Sequence, residues 1–237
     1  MKARTKLFLL VIAISASFEA NGQEKNSNEK LLRPFDKKFR WGTTLNILWS
    51  SIEGKSLPVQ YFTKPSIGIF LVAEYYFKPF IGISVGAGFQ QLGAGIITNV
   101  KQPVVTPSLD STYRTRLRFN TLAFPISFHL RTPRDVVLKG WRFGGALSLI
   151  PLINTASNQV YNSLEPSLYN LDNTKNISNL YLKNDLLYQI AIGPEIEAGT
   201  GILKFQFVYT SGTTNVYNSN QGNGTNQAYG FRIGYLF

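Results

Sequence analysis

The chain carries few residues that could do covalent chemistry. It has one histidine, His129, and no cysteine. The missing thiols exclude a disulfide framework, a Cys-ligated zinc, a thiol nucleophile and a lipidated N-terminal cysteine. A lone histidine acts as a general base only when a nucleophile and an orienting carboxylate stand beside it, and no local motif supplies them. There is no histidine pair, no dense aspartate cluster of the calcium-loop type and no glycine-rich phosphate loop. No catalytic, cofactor or metal-binding set is therefore assigned. The other chemistry-bearing residues are charges scattered singly through apolar segments: Arg40, Glu74, Arg114, Arg116, Arg118, Arg142, Glu195, Glu197, Lys204 and Arg232. What they can do depends on which way their segments point them.

Those segments alternate with a period of two. Phe39, Trp41, Thr43, Leu45, Ile47 and Trp49 share one face of the first. Ile67 to Phe77 and Ile81 to Phe89 repeat the pattern, with Lys78-Pro79 as the turn between them. A long segment, Tyr113 to Arg131, places Leu117 and Phe119 on one face. It then changes parity, so that Leu122, Phe124, Ile126, Phe128 and Leu130 carry the apolar face, and a β-bulge is expected near Thr121. Four further segments follow, at 141–153, 186–197, 203–210 and 229–237. Short turns at 78–79, 132–140 and 199–201 alternate with longer loops at 50–65, 91–112, 154–184 and 211–227. The reading is an all-β fold: an antiparallel up-and-down transmembrane β-barrel of about eight strands, with short turns on one rim and long loops on the other.

Composition agrees. The 237 residues are 44% hydrophobic but only 16% charged, with 17 Phe and 12 Tyr, whereas ordinary soluble domains are roughly 25% charged. The less apolar face is rich in glycine (Gly42, Gly68, Gly82, Gly86, Gly88, Gly144, Gly193, Gly230 and Gly234), which suits a crowded lumen better than a solvated surface. Trp41 and Trp49 are separated by roughly 26 Å of strand, or about 20 Å along a barrel axis tilted by 40°, close to the height of an outer-membrane apolar band. Parity then turns all ten charges inward, where a structural ion-pair network or an anion-favouring constriction would form. His129 also faces inward. The net charge of +11 is dispersed, and no nucleic-acid partner is expected.

The N-terminus reads as a leader. Lys2, Arg4 and Lys6 precede a short apolar run, Leu7 to Ser15, and cleavage is expected after Gly22. The division is residues 1–22 as signal peptide, 23–37 as a periplasmic lead-in and 38–237 as the barrel, exported to the bacterial outer membrane.

Three stretches carry a resemblance. The ending Ala228-Tyr-Gly-Phe-Arg-Ile-Gly-Tyr-Leu-Phe237 resembles the final strand of outer-membrane proteins. Leu117-Arg-Phe-Asn-Thr-Leu-Ala-Phe-Pro-Ile-Ser-Phe-His-Leu130 and Phe35-Asp-Lys-Lys-Phe-Arg-Trp-Gly42 are similar to segments of PorT-like barrels of Bacteroidetes-type bacteria. Thr121 and Ala123 depart from the Tyr and Glu usual there. The resemblance implies outer-membrane lipid as surroundings and the barrel-assembly machinery as a partner during insertion, with Tyr235 and Phe237 as its signal. The closed narrow barrel with its elaborate loops points to a non-enzymatic structural or interaction role in the envelope, including that of an accessory to a secretion or surface complex. Loops 154–184 and 211–227 are the candidate surfaces for an envelope protein partner. The competing readings are a narrow anion or small-solute channel and a membrane enzyme built around His129.

Overall fold

The computed structural model describes residues 33–54, 60–100, 111–136, 138–163, 174–176, 178, 181–217 and 223–237. The expected leader and its cleavage point lie outside them. A 3-10 turn, Pro34–Asp36, precedes twelve strands. These are β1 (Phe39–Glu53), β2 (Gln60–Phe62), β3 (Lys64–Lys78), β4 (Ile81–Leu92), β5 (Gly95–Val100) and β6 (Ser111–Ala123). They continue as β7 (Ile126–Arg131), β8 (Trp141–Ser163), β9 (Thr174–Asn176), β10 (Asn184–Ala198), β11 (Gly201–Gly212) and β12 (Thr225–Leu236).

All pairings are antiparallel, and they close a ring of β1, β3, β4, β6 with β7, β8, β10, β11 and β12. The ring has eight members because β6 and β7 act as one strand interrupted at Phe124-Pro125. The ladder survives the interruption: Phe124 N–H donates to Pro151 O at 3.1 Å and Gly86 N–H donates to Pro125 O at 2.9 Å. The seam joins β1 to β12, from Gly42 opposite Leu236 to Glu53 opposite Thr225. Following the pairs once around from Gly42 returns to β1 near Ile52, a stagger of about ten residues. A stagger of that size goes with strands tilted roughly 35–45°. At the seam, Gly42 and Gly230 lie so close to Tyr235 O and Ile47 O that a Cβ at either would collide with the neighbouring strand's backbone. Only glycine fits those two positions.

Outward side chains form an apolar band, including Ile47, Leu71, Val85, Ile126, Leu147, Ile190, Phe207 and Phe231. At the long-loop end its last members are Trp49, Phe89, Leu122, Ile153, Leu186 and Tyr229. One outward step higher stand Gln91, Asn120, Thr155, Asn184 and Gln227. Gln91 Nε2 donates to Asn120 Oδ1 at 3.0 Å, and Thr155 Oγ1 donates to Asn120 O at 2.7 Å. This change of chemistry on consecutive outward positions marks the edge of the lipid.

Above that edge the pattern inverts, because the outside is now water. Leu117 and Phe119 point inward, fully buried beneath the rim, with Leu92, Ala94, Ile96 and Val216. The expected parity change in the 113–131 segment is therefore corrected. Odd positions face inward along its whole described length, from Leu117 to Arg131. What changes is the environment, which swaps the apolar face without moving a side chain across the sheet. The bulge lies in the neighbouring strand: between Asn120 and Thr121 the register slips, leaving Thr155 of β8 unopposed. The loops are also more structured than their composition suggests. β2, β5, β9 and the upper reaches of β6 and β8 extend the sheet beyond the membrane edge.

Candidate functional site

Inside the barrel the inward parity of β3, β7, β10 and β11 brings four charged side chains together. Lys204 Nζ donates to both Glu74 carboxylate oxygens, at 2.6 and 2.8 Å, and stands 3.2 Å from Glu195 Oε1. Arg131 Nη1 is 4.0 Å from Glu195 Oε2. Lys204 and Glu195 are also direct cross-strand partners. Arg232 donates to Asn46 Oδ1 at 3.0 Å and to Gln189 Oε1. All these groups but the half-buried Arg232 are buried, and two carboxylates around one ammonium offset the desolvation that either charge would suffer alone.

His129 sits at the edge of this cluster. Its Nε2 is 2.8 Å from Ser84 Oγ and 3.7 Å from Glu74 Oε1. In a working Ser-His-acid arrangement the acid holds one ring nitrogen while the other takes the serine proton. Here serine and glutamate share Nε2, and Nδ1 has no protein partner. The neighbouring cavity, lined by Glu74, Ser84, His129, Lys204 and Arg232 among others, offers about 20 Å³ to the centre of a water molecule. That is room for a water and not for a substrate.

The short-turn end is closed by the segment just before β1. The Phe35 ring inserts beneath the lumen, 4.4 Å from the Arg142 guanidinium carbon and 5.1 Å from that of Arg131. Arg131 also stacks on Tyr76 at 3.9 Å. Arg40, wholly buried, donates to the carbonyls of Pro34, Phe35 and Lys37 rather than to a carboxylate. Arg33 clasps the rim through Asp135 and Glu197, each at 2.9 Å, and Arg142 reaches Asp135 at 3.5 Å. Glu197 thus belongs to this clasp, and its hydrogen bond holds the Arg33 guanidinium above its usual range. The Gly140 N–H, then Arg33, depress the Asp135 carboxyl to about 2 from 3.8. A carboxyl so depressed contributes stability above pH 3.8 that is lost only as pH falls through about 2. A carbonyl-carbon NMR titration should therefore find the Asp135 midpoint near pH 2, and Arg33→Gln should move it upward. A midpoint at 3.8 in the unaltered protein would show that the clasp does not form.

Of the expected inward charges, the structure brings Arg40, Glu74, Arg142, Glu195, Lys204 and Arg232 to the lumen. It does not bring Arg116 or Arg118. These point outward from β6 above the lipid edge, because Leu117 and Phe119 take the inward positions. The side chain of Arg114 lies outside the described residues. Phe35, Tyr76, Arg131 and Asp135 were not singled out from the sequence. Arg131 was accessible to it, since it continues the odd-numbered inward row through His129. Tyr235 and Phe237 lie on the outer face at the seam: Tyr235 Oη donates to Ala198 O at 2.8 Å, and Phe237 packs 5.4 Å from Trp41.

The long-loop end is filled by rings. Phe119 packs on Tyr181 at 4.8 Å, Tyr181 on Tyr217 at 5.7 Å, and the Tyr217 and Tyr61 hydroxyls meet. The lumen is thus occupied at its centre and at both ends. The rings form a floor from which the extended sheet rises.

Among solved structures the chain is similar to Ail, the attachment invasion locus protein of Yersinia pestis, in complex with the heparin analogue sucrose octasulfate. The two are 10% identical, covering 85% of this chain and 100% of that one, with a TM-score of 0.38. Neisserial surface protein A is 8% identical, covering 84% and 96%, with a TM-score of 0.42. The N-terminal barrel of Pseudomonas aeruginosa OprF is 12% identical, covering 82% and 97%, with a TM-score of 0.31. No curated protein matches significantly. The family profile described as "Outer membrane protein beta-barrel domain" matches residues 20–236. With an apolar outer band, a closed antiparallel ring and that match over most of its length, the chain belongs to the outer membrane protein beta-barrel domain family.

Proposed function

We propose that this protein is a non-enzymatic barrel that works outside the bilayer, using the extended sheet at its long-loop rim as an interaction platform. One observation carries the reading. β8 continues ten residues or so past Ile153, its last lipid-facing apolar residue, roughly 25 Å of additional sheet along a tilted axis, paired with β6 and β9. Its partner is an envelope protein, in keeping with a role as accessory to a secretion or surface complex. Loops 154–184 and 211–227 are the surfaces that meet it. Assembly by the barrel-assembly machinery through Tyr235 and Phe237 fits their outward position at the seam.

A photo-crosslinking residue at Thr155 or Asn215 is expected to capture one reproducible envelope protein in native membranes. The same residue at Lys78, on the opposite rim, captures none. Failure to capture a partner, with no envelope phenotype on deletion, would count against the platform.

The channel reading draws on the excess of Arg40, Lys64, Arg131, Arg142 and Lys204 over Glu74 and Glu195 among the buried charges of the described residues. Packing at the centre and both ends weighs against it. Planar-bilayer recordings are expected to be silent, and a steady anion-preferring conductance would restore it.

A further inference from the structure

Arg116 and Arg118 are placed where neither the lumen nor the rim core uses them. Both lie on the outer face of β6, beyond Leu122, the last apolar residue that strand shows to lipid. Asn120 is the transition. Arg118 stands four residues past Leu122, roughly 10 Å along the axis, and Arg116 another 5 Å. The polar headgroup layer is about 5–8 Å thick on each side of a bilayer, so a guanidinium on a long stem reaches its charged groups from either position. Neither arginine has an ion-pair partner among the described residues, and the outward neighbours Gln91, Asn120 and Thr155 are neutral.

We infer that Arg116 and Arg118 form a surface site for the phosphate groups of outer-leaflet lipid. Planar guanidinium groups bind phosphate by paired hydrogen bonds. Two arginines of equal parity on one strand stand about 7 Å apart, a spacing that lets them take phosphates on one headgroup or on adjacent ones. The site would fix the barrel's height in the membrane and gather anionic lipid beside β6. It is independent of the platform reading, since it concerns the wall of the sheet and not its upper rim.

The test uses the full chain in micelles with lipid A bearing both phosphates, and native mass spectrometry as the readout. The protein should retain lipid A, and the Arg116→Gln/Arg118→Gln double variant should bind about 25-fold more weakly, given roughly fivefold per basic residue near a charged surface. Arg116→Lys/Arg118→Lys should recover part of the loss. Dephosphorylated lipid A should bind the unaltered protein as weakly as it binds the Gln variant. Inorganic phosphate at matched concentration should not displace lipid A. Equal retention by the Gln variant, equal binding of dephosphorylated lipid, or displacement by inorganic phosphate would each overturn the site. Heat-modifiable migration of each variant confirms that the barrel has formed.

Discussion

Replacing Lys204 by methionine is expected to destabilise the barrel by about 3–5 kcal/mol, the range for leaving a buried charge without its partner. The substitution keeps the stem and removes the ammonium that both Glu74 and Glu195 face. Two buried carboxylates then keep Arg131 and His129 within 4.0 Å, and Arg40 and Arg142 as their cross-strand partners, which places the effect toward the lower end of that range. The measurement is urea unfolding in micelles, followed by the temperature at which the folded gel band disappears. Removing Lys204 together with one carboxylate, as Glu74→Gln and Lys204→Met, should restore most of the loss, because the remaining Glu195 keeps Arg131 as its partner. If Lys204→Met alone costs less than about 1 kcal/mol, the network does not support the barrel in the way a partnered buried charge does.

The second large effect tests where the lipid lies. Leu147 is 57% exposed and sits midway between Trp141 and Ile153, the ends of the apolar face on β8. Leu147→Arg should cost about 2–4 kcal/mol, the penalty for a cation at the bilayer midplane. Thr155→Arg, eight residues higher on the same strand and beyond the polar transition, should cost about 0–1 kcal/mol. Equal costs at the two positions would show that the band does not end where Ile153 gives way to Thr155.

The alternation of apolar and small residues made the ring legible, since a strand that faces lipid on one side and a narrow lumen on the other writes both environments into its sequence. Glu74, Lys204 and Arg232 were readable as inward for the same reason. The reading failed at Leu117 and Phe119, where it assumed that an apolar residue always faces lipid. Past the membrane edge water wets the outer face and the rule reverses, so a change of medium looked like a change of register. That single assumption misplaced Arg116 and Arg118 and put the bulge on the wrong strand. The Phe35 closure was illegible for another reason. A buried ring on a three-residue turn has no periodicity, and the arginines that hold it come from strands distant in sequence.

The pairing of β1 with β12 sets a condition on biogenesis. Every residue of the seam from Gly42 to Glu53 waits for a partner between Thr225 and Leu236, the last of the described strands to be made. No ring can close before β12 has been made, and until then β1 presents an unpaired backbone edge. Such long-range pairing is slow, because chain entropy is lost before any contact offsets it. A truncation that removes β12 should yield an aggregation-prone chain and not a smaller barrel.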